Sequence, residues 1–329
     1  MKALILEQYN TPYKLTDLIK PVARERQVLV KIMASGVNPL DLKICEGKAA
    51  HARPQLPGIF GIDMAGIVED VGNDVTEFKA GDEVYGMTGG VAGVPGSLAE
   101  YAAVDADLLA LKPSTLSMKE AAAVPLIFIT AWEALVDRAN IKKDKRVLIH
   151  GGAGGVGHIA VQIALAHEAH VFATVNAAKA VQVVKYGATA IDYEKETVEQ
   201  YVDAYTKGKG FDIILDTVGG TTLDDSFKAA RQYKGHVVSA LGWGSHSLAP
   251  LSFHGATYSG VFTLYPLISG KRRRHHGNIL SQATELINAG KVIPKVDPIN
   301  YNFDTISDAY DSLRKKTATG KVVVNVGMP

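Results

Sequence analysis

Arg146-Val147-Leu148-Ile149-His150 runs directly into Gly151-Gly152-Ala153-Gly154-Gly155-Val156-Gly157, and the apolar stretch His158 to Glu168 follows. An aliphatic run, a glycine-rich turn and a helical stretch make one strand–turn–helix unit. Gly152, Gly154 and Gly157 fit G-x-G-x-x-G. In that pattern the first glycine makes the turn, the second lets a pyrophosphate approach the backbone, and the third lets helix pack on strand. Phosphates bound there would meet free N–H groups and the positive end of the helix dipole. Glycine-rich turns are common, so the context decides. Further candidate strands lie at His170 to Val175, Ala188 to Tyr193, Phe211 to Val218, Gly235 to Leu241 and Tyr258 to Leu264, with helical stretches between the early ones. Such alternation forces a parallel sheet with right-handed crossovers, which predicts a doubly wound dinucleotide-binding domain.

The end of the second strand indicates which dinucleotide. An NAD site usually places Asp or Glu about 20 residues after the glycines, on the ribose 2′-OH. Here the chain reads Thr174-Val175-Asn176-Ala177-Ala178-Lys179, with no carboxylate and one ammonium. An acid would repel a 2′-phosphate and Lys179 would attract one, so NADP(H) is expected over NAD(H). Asn176 suits either a hydrogen bond to that phosphate or an ordinary helix N-cap.

Upstream, to about residue 112, the period changes. Short β segments are cut by Gly and Pro: Val28 to Met33, Ala65 to Val71 and Leu98 to Val104, with turns at Gly81-Asp82 and Pro95-Gly96. That rhythm predicts an all-β, barrel-like unit. Beyond residue 266 the alternation stops, leaving a helix near Asn278 to Ala289, an extended piece at Val292 to Val296, a helix near Thr305 to Arg314 and a strand at Lys321 to Val326. The tail is expected to return to the first domain, giving residues 1–124 with 267–329 as one discontinuous domain and 125–266 as the nucleotide domain.

Composition narrows the partners. The 329 residues carry 35 Lys+Arg against 34 Asp+Glu, so no global field holds a polyanion and nucleic acid is not expected. The longest apolar stretch, Ala121 to Trp132, contains Pro125 and falls short of a membrane span. The N-terminal apolar stretch is too short for a signal sequence. The single cysteine, Cys45, excludes an internal disulfide and fits a reducing, cytoplasmic setting. The run Lys271-Arg272-Arg273-Arg274-His275-His276 is expected as a solvated loop or oligomer edge, the alternative being a phosphate, CoA or RNA contact.

Several motifs together resemble the medium-chain dehydrogenase/reductase superfamily, and within it the zinc-independent quinone oxidoreductase branch. They are Gly36-Val37-Asn38-Pro39-Leu40-Asp41, Pro57 to Val68 with Gly81-Asp82-Glu83-Val84, Thr130-Ala131-Trp132, Phe211 to Gly220, and Gly320-Lys321-Val322-Val323-Val324. The resemblance implies an α/β two-domain fold, a GroES-like catalytic domain plus a Rossmann domain. It also implies cofactor contacts at Gly154, Gly155, Val156, Asn176, Lys179 and Tyr193. Tyr193 would lie near the adenosine phosphate, or would instead be a half-buried aromatic. Asp41 and Asp63 match positions expected to orient loops by hydrogen bonds.

The zinc alcohol dehydrogenases of this superfamily carry Cys, His and Cys where this chain has Asn38, Ile62 and Leu126. An amide and two alkyl groups cannot supply zinc's donor set, so no metal is expected. Oxidising an unactivated alcohol needs a Lewis acid or strong base. Hydride delivery to a quinone or an α,β-unsaturated carbonyl needs only donors for the developing oxyanion. Asn38 and Thr130 are the candidate donors, although Asn38 could instead cap the turn before Pro39. Lys43 stands where related quinone reductases often place Tyr, and is either the proton donor or a surface lysine, water being the other source. The expectation is an NADPH-dependent quinone or enone reductase, a homodimer or homotetramer. The rivals are an enoyl-thioester reductase and a non-catalytic, crystallin-like or RNA-contacting NADPH binder.

Overall fold

The change of hydrophobic period marks a change of structural unit. The computed structural model describes residues 1–327. One unit comprises Met1–Leu126, Leu264–Gly290 and the chain from Pro294 on; the other comprises Ile127–Thr263 and Lys291–Ile293.

The first unit is antiparallel. Its strands are β1 (Lys2–Leu6), β2 (Lys14–Asp17), β3 (Gln27–Gly36), β4 (Gly58–Ile59), β5 (Asp63–Val71), β6 (Glu83–Met87), β7 (Tyr101–Asp105) and β8 (Leu109–Leu111), with short helices α1 (Pro39–Cys45) and α2 (Met118–Ala122). One sheet has the order β2-β1-β4. In the larger sheet the late strand Val323–Asn325 pairs with β3, followed by β5, β6 and β8, and β7 pairs with β3. Along β3, Val28, Val30, Ile32 and Ala34 are fully buried while Lys31 is exposed, the two-residue period of a half-buried strand. The late strand runs antiparallel to β3, with Val324 opposite Ser35.

In the second unit α3 (Pro125–Trp132) leads towards six strands: β9 (Arg146–His150), β10 (His170–Val175), β11 (Thr189–Asp192), β12 (Ile213–Asp216), β13 (His236–Ser239) and β14 (Thr257–Gly260). Helices α4 (Gly155–Ala166), α5 (Ala177–Tyr186), α6 (Val198–Thr206), α7 (Thr221–Ala229) and α8 (Ala249–His254) connect them. The sheet is parallel, in the order β11-β10-β9-β12-β13-β14. Chain direction across the sheet reverses at β9, where Ile149 lies opposite both Ala173 and Leu215. Ligands of such sheets bind at that reversal, beyond the strands' carboxyl ends. Leu148, Ile191, Phe211, Ile214, Phe227 and Val237 form its buried core, each contributing about 1.5–3 kcal/mol of transfer free energy.

Three elements differ from the sequence pattern. The fourth strand stops at Asp216 because that carboxylate accepts the N–H groups of Val218 (3.0 Å) and Gly219 (2.9 Å), turning the chain. The long tail helix spans Arg273–Asn288, so Arg273 to His276 of the basic run form its first turn, while Lys271 and Arg272 precede it. The stretch Lys291–Ile293 joins the second unit through Gln162, whose amide exchanges hydrogen bonds of 2.8 and 3.1 Å with the Ile293 backbone. Among the described residues no helix is long and apolar enough to cross a membrane.

Candidate active site

The glycine turn is fixed by sterics. A Cβ on Gly152 would lie 2.5 Å from the Ala173 Cβ, and one on Gly157 would lie 2.1 Å from the Gly151 carbonyl oxygen. Both approaches are closer than any side chain tolerates. Gly154 is the N-cap of the 12-residue α4, so the N–H groups of Gly155, Val156 and Gly157 have no acceptor within the helix. Gly154 and Gly155 are exposed there. Open N–H groups at a dipole's positive end, with no Cβ in front of them, fit the phosphates of a dinucleotide.

Asn176 is the N-cap of α5, its Oδ1 accepting the Lys179 N–H at 3.2 Å. Lys179 is exposed, as is Tyr193, whose N–H donates to the Val175 carbonyl at 3.4 Å. The parallel register places Val175 opposite Asp192 and so gathers Asn176, Lys179 and Tyr193 beyond the ends of β10 and β11. The Asp192 carboxylate accepts the Glu194 N–H (3.1 Å) and pairs with Lys195 (3.4 Å). His150 lies within the sheet: its Nδ1 is 3.1 Å from the Thr174 hydroxyl, and burial pulls its pKa down to about 4. Thr130, buried on α3, has its hydroxyl 3.0 Å from that of Thr263, which donates to Glu133 at 3.3 Å.

In the first unit Asn38 caps α1 inside a buried polar cluster. Its backbone N–H donates to Asp41 Oδ2 at 2.7 Å, and its side-chain Nδ2 donates to Asp63 Oδ2 at 3.0 Å. The Lys321 ammonium donates to Asn38 Oδ1 and stands 3.5 Å from Asp63. Asp63 Oδ1 accepts the Leu126 N–H at 2.9 Å. Asn38 is 1% exposed, Asp63 0% and Lys321 7%. Burial raises both carboxyls, Asp41 to about 7, and Lys321 pulls against it; burial likewise lowers the Lys321 ammonium. Asp41 Oδ1 is buried without a hydrogen-bond partner.

Lys43, also on α1, is exposed; burial lowers the His51 pKa and the Lys43 charge lowers it further. Asn38 and Asp41 therefore stand together and Lys43 faces solvent. Sequence reasoning gave Asp63 only a loop-orienting role and Lys321 none; the available signal was a lysine at the head of the apolar run Val322-Val323-Val324.

Two arginines of the basic run pair with acids from distant parts of the chain. Arg273 pairs with Asp105 (2.9 Å), and Arg274 with Glu77 (2.6 Å) and Asp107 (3.2 Å). Arg26 bridges Glu77 and Asp107 as well, at 3.3 and 2.9 Å. Among the described residues no three His, Cys, Asp or Glu side chains are grouped to hold a metal ion.

The chain is similar to known proteins over nearly all its length. The alcohol dehydrogenase GroES-like domain model matches residues 24–114, and the model named zinc-binding dehydrogenase matches residues 186–324. The chain is 36% identical over 335 residues to the chloroplastic NADPH-dependent alkenal/one oxidoreductase of Arabidopsis thaliana, covering 98% of this chain and 79% of that protein. It is 31% identical over 316 residues to the quinone oxidoreductase of Sus scrofa, covering 94% and 92%. The crystal structure of an alcohol dehydrogenase superfamily protein from Novosphingobium aromaticivorans superposes with a TM-score of 0.97 at 49% identity, covering 99% of both chains.

Proposed function

Because the chain belongs to the quinone oxidoreductase branch of the medium-chain dehydrogenase/reductase superfamily and is an oxidoreductase, we propose that it reduces quinones or α,β-unsaturated carbonyls with NADPH. The observation carrying this reading is the Asn38 cluster. Where zinc-dependent relatives place a metal donor, this chain holds an amide already engaged by an ammonium and a carboxylate. Such a site has no Lewis acid of its own side chains and suits an acceptor already electrophilic at the receiving atom.

NADPH, bound at the glycine turn, supplies the hydride. The N–H groups of Gly155, Val156 and Gly157 would hold its pyrophosphate, with Gly152 and Gly154 keeping the approach open. Lys179 would meet the 2′-phosphate, and Asn176 and Tyr193 would contact the adenosine. Thr130 offers a hydroxyl to the nicotinamide or the acceptor, and Asn38 an amide N–H to the acceptor oxygen. The proton that completes reduction comes from Lys43 or from water. The relatives' names support the same chemistry: one is an NADPH-dependent alkenal/one oxidoreductase and another a quinone oxidoreductase. The pairing of Arg273 and Arg274 with acids weighs against the thioester and RNA-contacting alternatives.

NADPH oxidation measured in parallel with a quinone, a simple enone and an enoyl-CoA tests this reading; turnover of neither of the first two overturns it. We also propose a homodimer or homotetramer. Strand β14 ends the parallel sheet, with Phe253 and Phe262 exposed nearby, and sedimentation would measure the assembly.

A further inference from the structure

The two ends of the Asn38 side chain are read by chemically opposite partners. Lys321 has only donors and takes the amide oxygen; Asp63 accepts and takes the amide nitrogen. Turning the amide over would put N–H₂ against an ammonium and C=O against a carboxylate. Asp63 is itself pinned, because its other oxygen accepts the Leu126 N–H at 2.9 Å. Lys321 arrives on the late strand segment, with its backbone N–H held by the Lys295 carbonyl at 2.8 Å. The Asn38, Asp63 and Lys321 side chains are all buried, which strengthens the contacts that fix the amide.

We propose that Lys321 and Asp63 are positioning residues that fix the orientation of the Asn38 carboxamide, so that one N–H of Nδ2 goes to Asp63 and the other serves as the donor to the acceptor's carbonyl or quinone oxygen. This rests on the function proposed above and adds two residues to it, neither of which touches substrate. A donor oriented before the reaction stabilises charge developing on that oxygen without reorganisation at the time of transfer. The positioning therefore bears on kcat/KM for the acceptor and leaves dinucleotide affinity alone.

The test separates orientation from charge balance. Removing Lys321 alone leaves buried carboxylates uncompensated and endangers folding. The double variant Lys321→Met with Asp63→Asn removes one charge of each sign. The carboxamide introduced at position 63 keeps an oxygen for the Leu126 N–H and turns its N–H₂ towards Asn38, which favours the reversed Asn38 amide. Purified wild type, K321R and K321M/D63N are compared for melting temperature, NADPH affinity by fluorescence titration, and steady-state kinetics with an enone and a quinone. K321R, which keeps a cationic donor, is expected within about threefold of wild type. K321M/D63N is expected to bind NADPH normally and to lose about tenfold or more in kcat/KM. Wild-type kcat/KM in the double variant overturns the proposal. So does a folded K321R that loses about tenfold or more, and that arm decides should the double variant fail to fold. A wild type that reduces no enone or quinone removes the functional reading itself, a separate outcome.

Discussion

The α-carbon of Gly157 faces the carbonyl oxygen of Gly151 so closely that a methyl group there would come within 2.1 Å of it. Neither partner can yield: one is the turn after β9 and the other the first turn of α4. Gly157→Ala is therefore expected to cost about 1–3 kcal/mol of stability and to weaken NADPH binding at least tenfold, because relief requires moving the helix N-terminus that holds the phosphates. Thermal unfolding and fluorescence titration would measure both. An unchanged NADPH affinity would argue against the loop as the phosphate site.

Lys179 is the only cation in the stretch from Thr174 to Lys179, and it is exposed. Lys179→Glu should raise KM for NADPH more than tenfold and leave NADH little affected, since only the former carries the phosphate that the new carboxylate repels. Steady-state kinetics with both dinucleotides would show this, and equal effects on both would discount the contact.

His150 and Asp41 give opposite pH dependences. Burial holds His150 down at about 4, against the opposing pull of the Asp216 and Asp225 charges. The unfolded chain thus takes up a proton near pH 6.5 that the folded chain refuses until about pH 4, and stability falls by about 3 kcal/mol as pH drops through that window. Asp41 is raised to about 7 by burial; its contribution is complete below about pH 4 and is lost progressively as pH rises from there to about 7. Denaturant unfolding from pH 4 to 9 should show His150→Asn removing a rise in stability between about pH 4 and 6.5, and Asp41→Asn removing a fall between about pH 4 and 7, with neither changing the slope at higher pH. Profiles parallel to wild type would refute both assignments.

Arg274 is half exposed while pairing with Glu77 and Asp107. Exposed pairs contribute about 0–1 kcal/mol, so Arg274→Ala is expected to change stability by no more than that, the effect shrinking in high salt. Charge reversal at the neighbouring Lys271 and Arg272 should leave KM for a simple enone unchanged. A KM rise confined to an enoyl-CoA would bring back a thioester substrate.

The Rossmann-type unit was legible because its signals are local. The glycine spacing, the run from Arg146 to His150 and the strand–helix alternation each lie within a few dozen residues, and the parallel arrangement follows from the crossovers. The antiparallel unit was legible as a class from its Gly and Pro punctuation. What escaped reading depends on residues far apart in the chain. Asn38 and Lys321 are separated by 283 positions, and nothing around either announces the other. The basic run looked like a free surface because its acids, Glu77, Asp105 and Asp107, come from another part of the sequence. Asn176 illustrates an ambiguity that physics leaves in place: an N-cap oxygen and a phosphate neighbour demand the same residue at the same position.

The discontinuity of the first unit sets an order of events during synthesis. Most of the parallel-sheet unit is contiguous and has left the ribosome well before Lys321, whereas Asp41 and Asp63 are made earlier and wait for their ammonium until residue 321 is translated. Nascent chains arrested near residue 300 should therefore resist protease across the parallel-sheet unit while remaining cleavable in the antiparallel one. The stretch around Lys321, made long after Asp63, would then close a framework that residues 1–126 cannot complete alone.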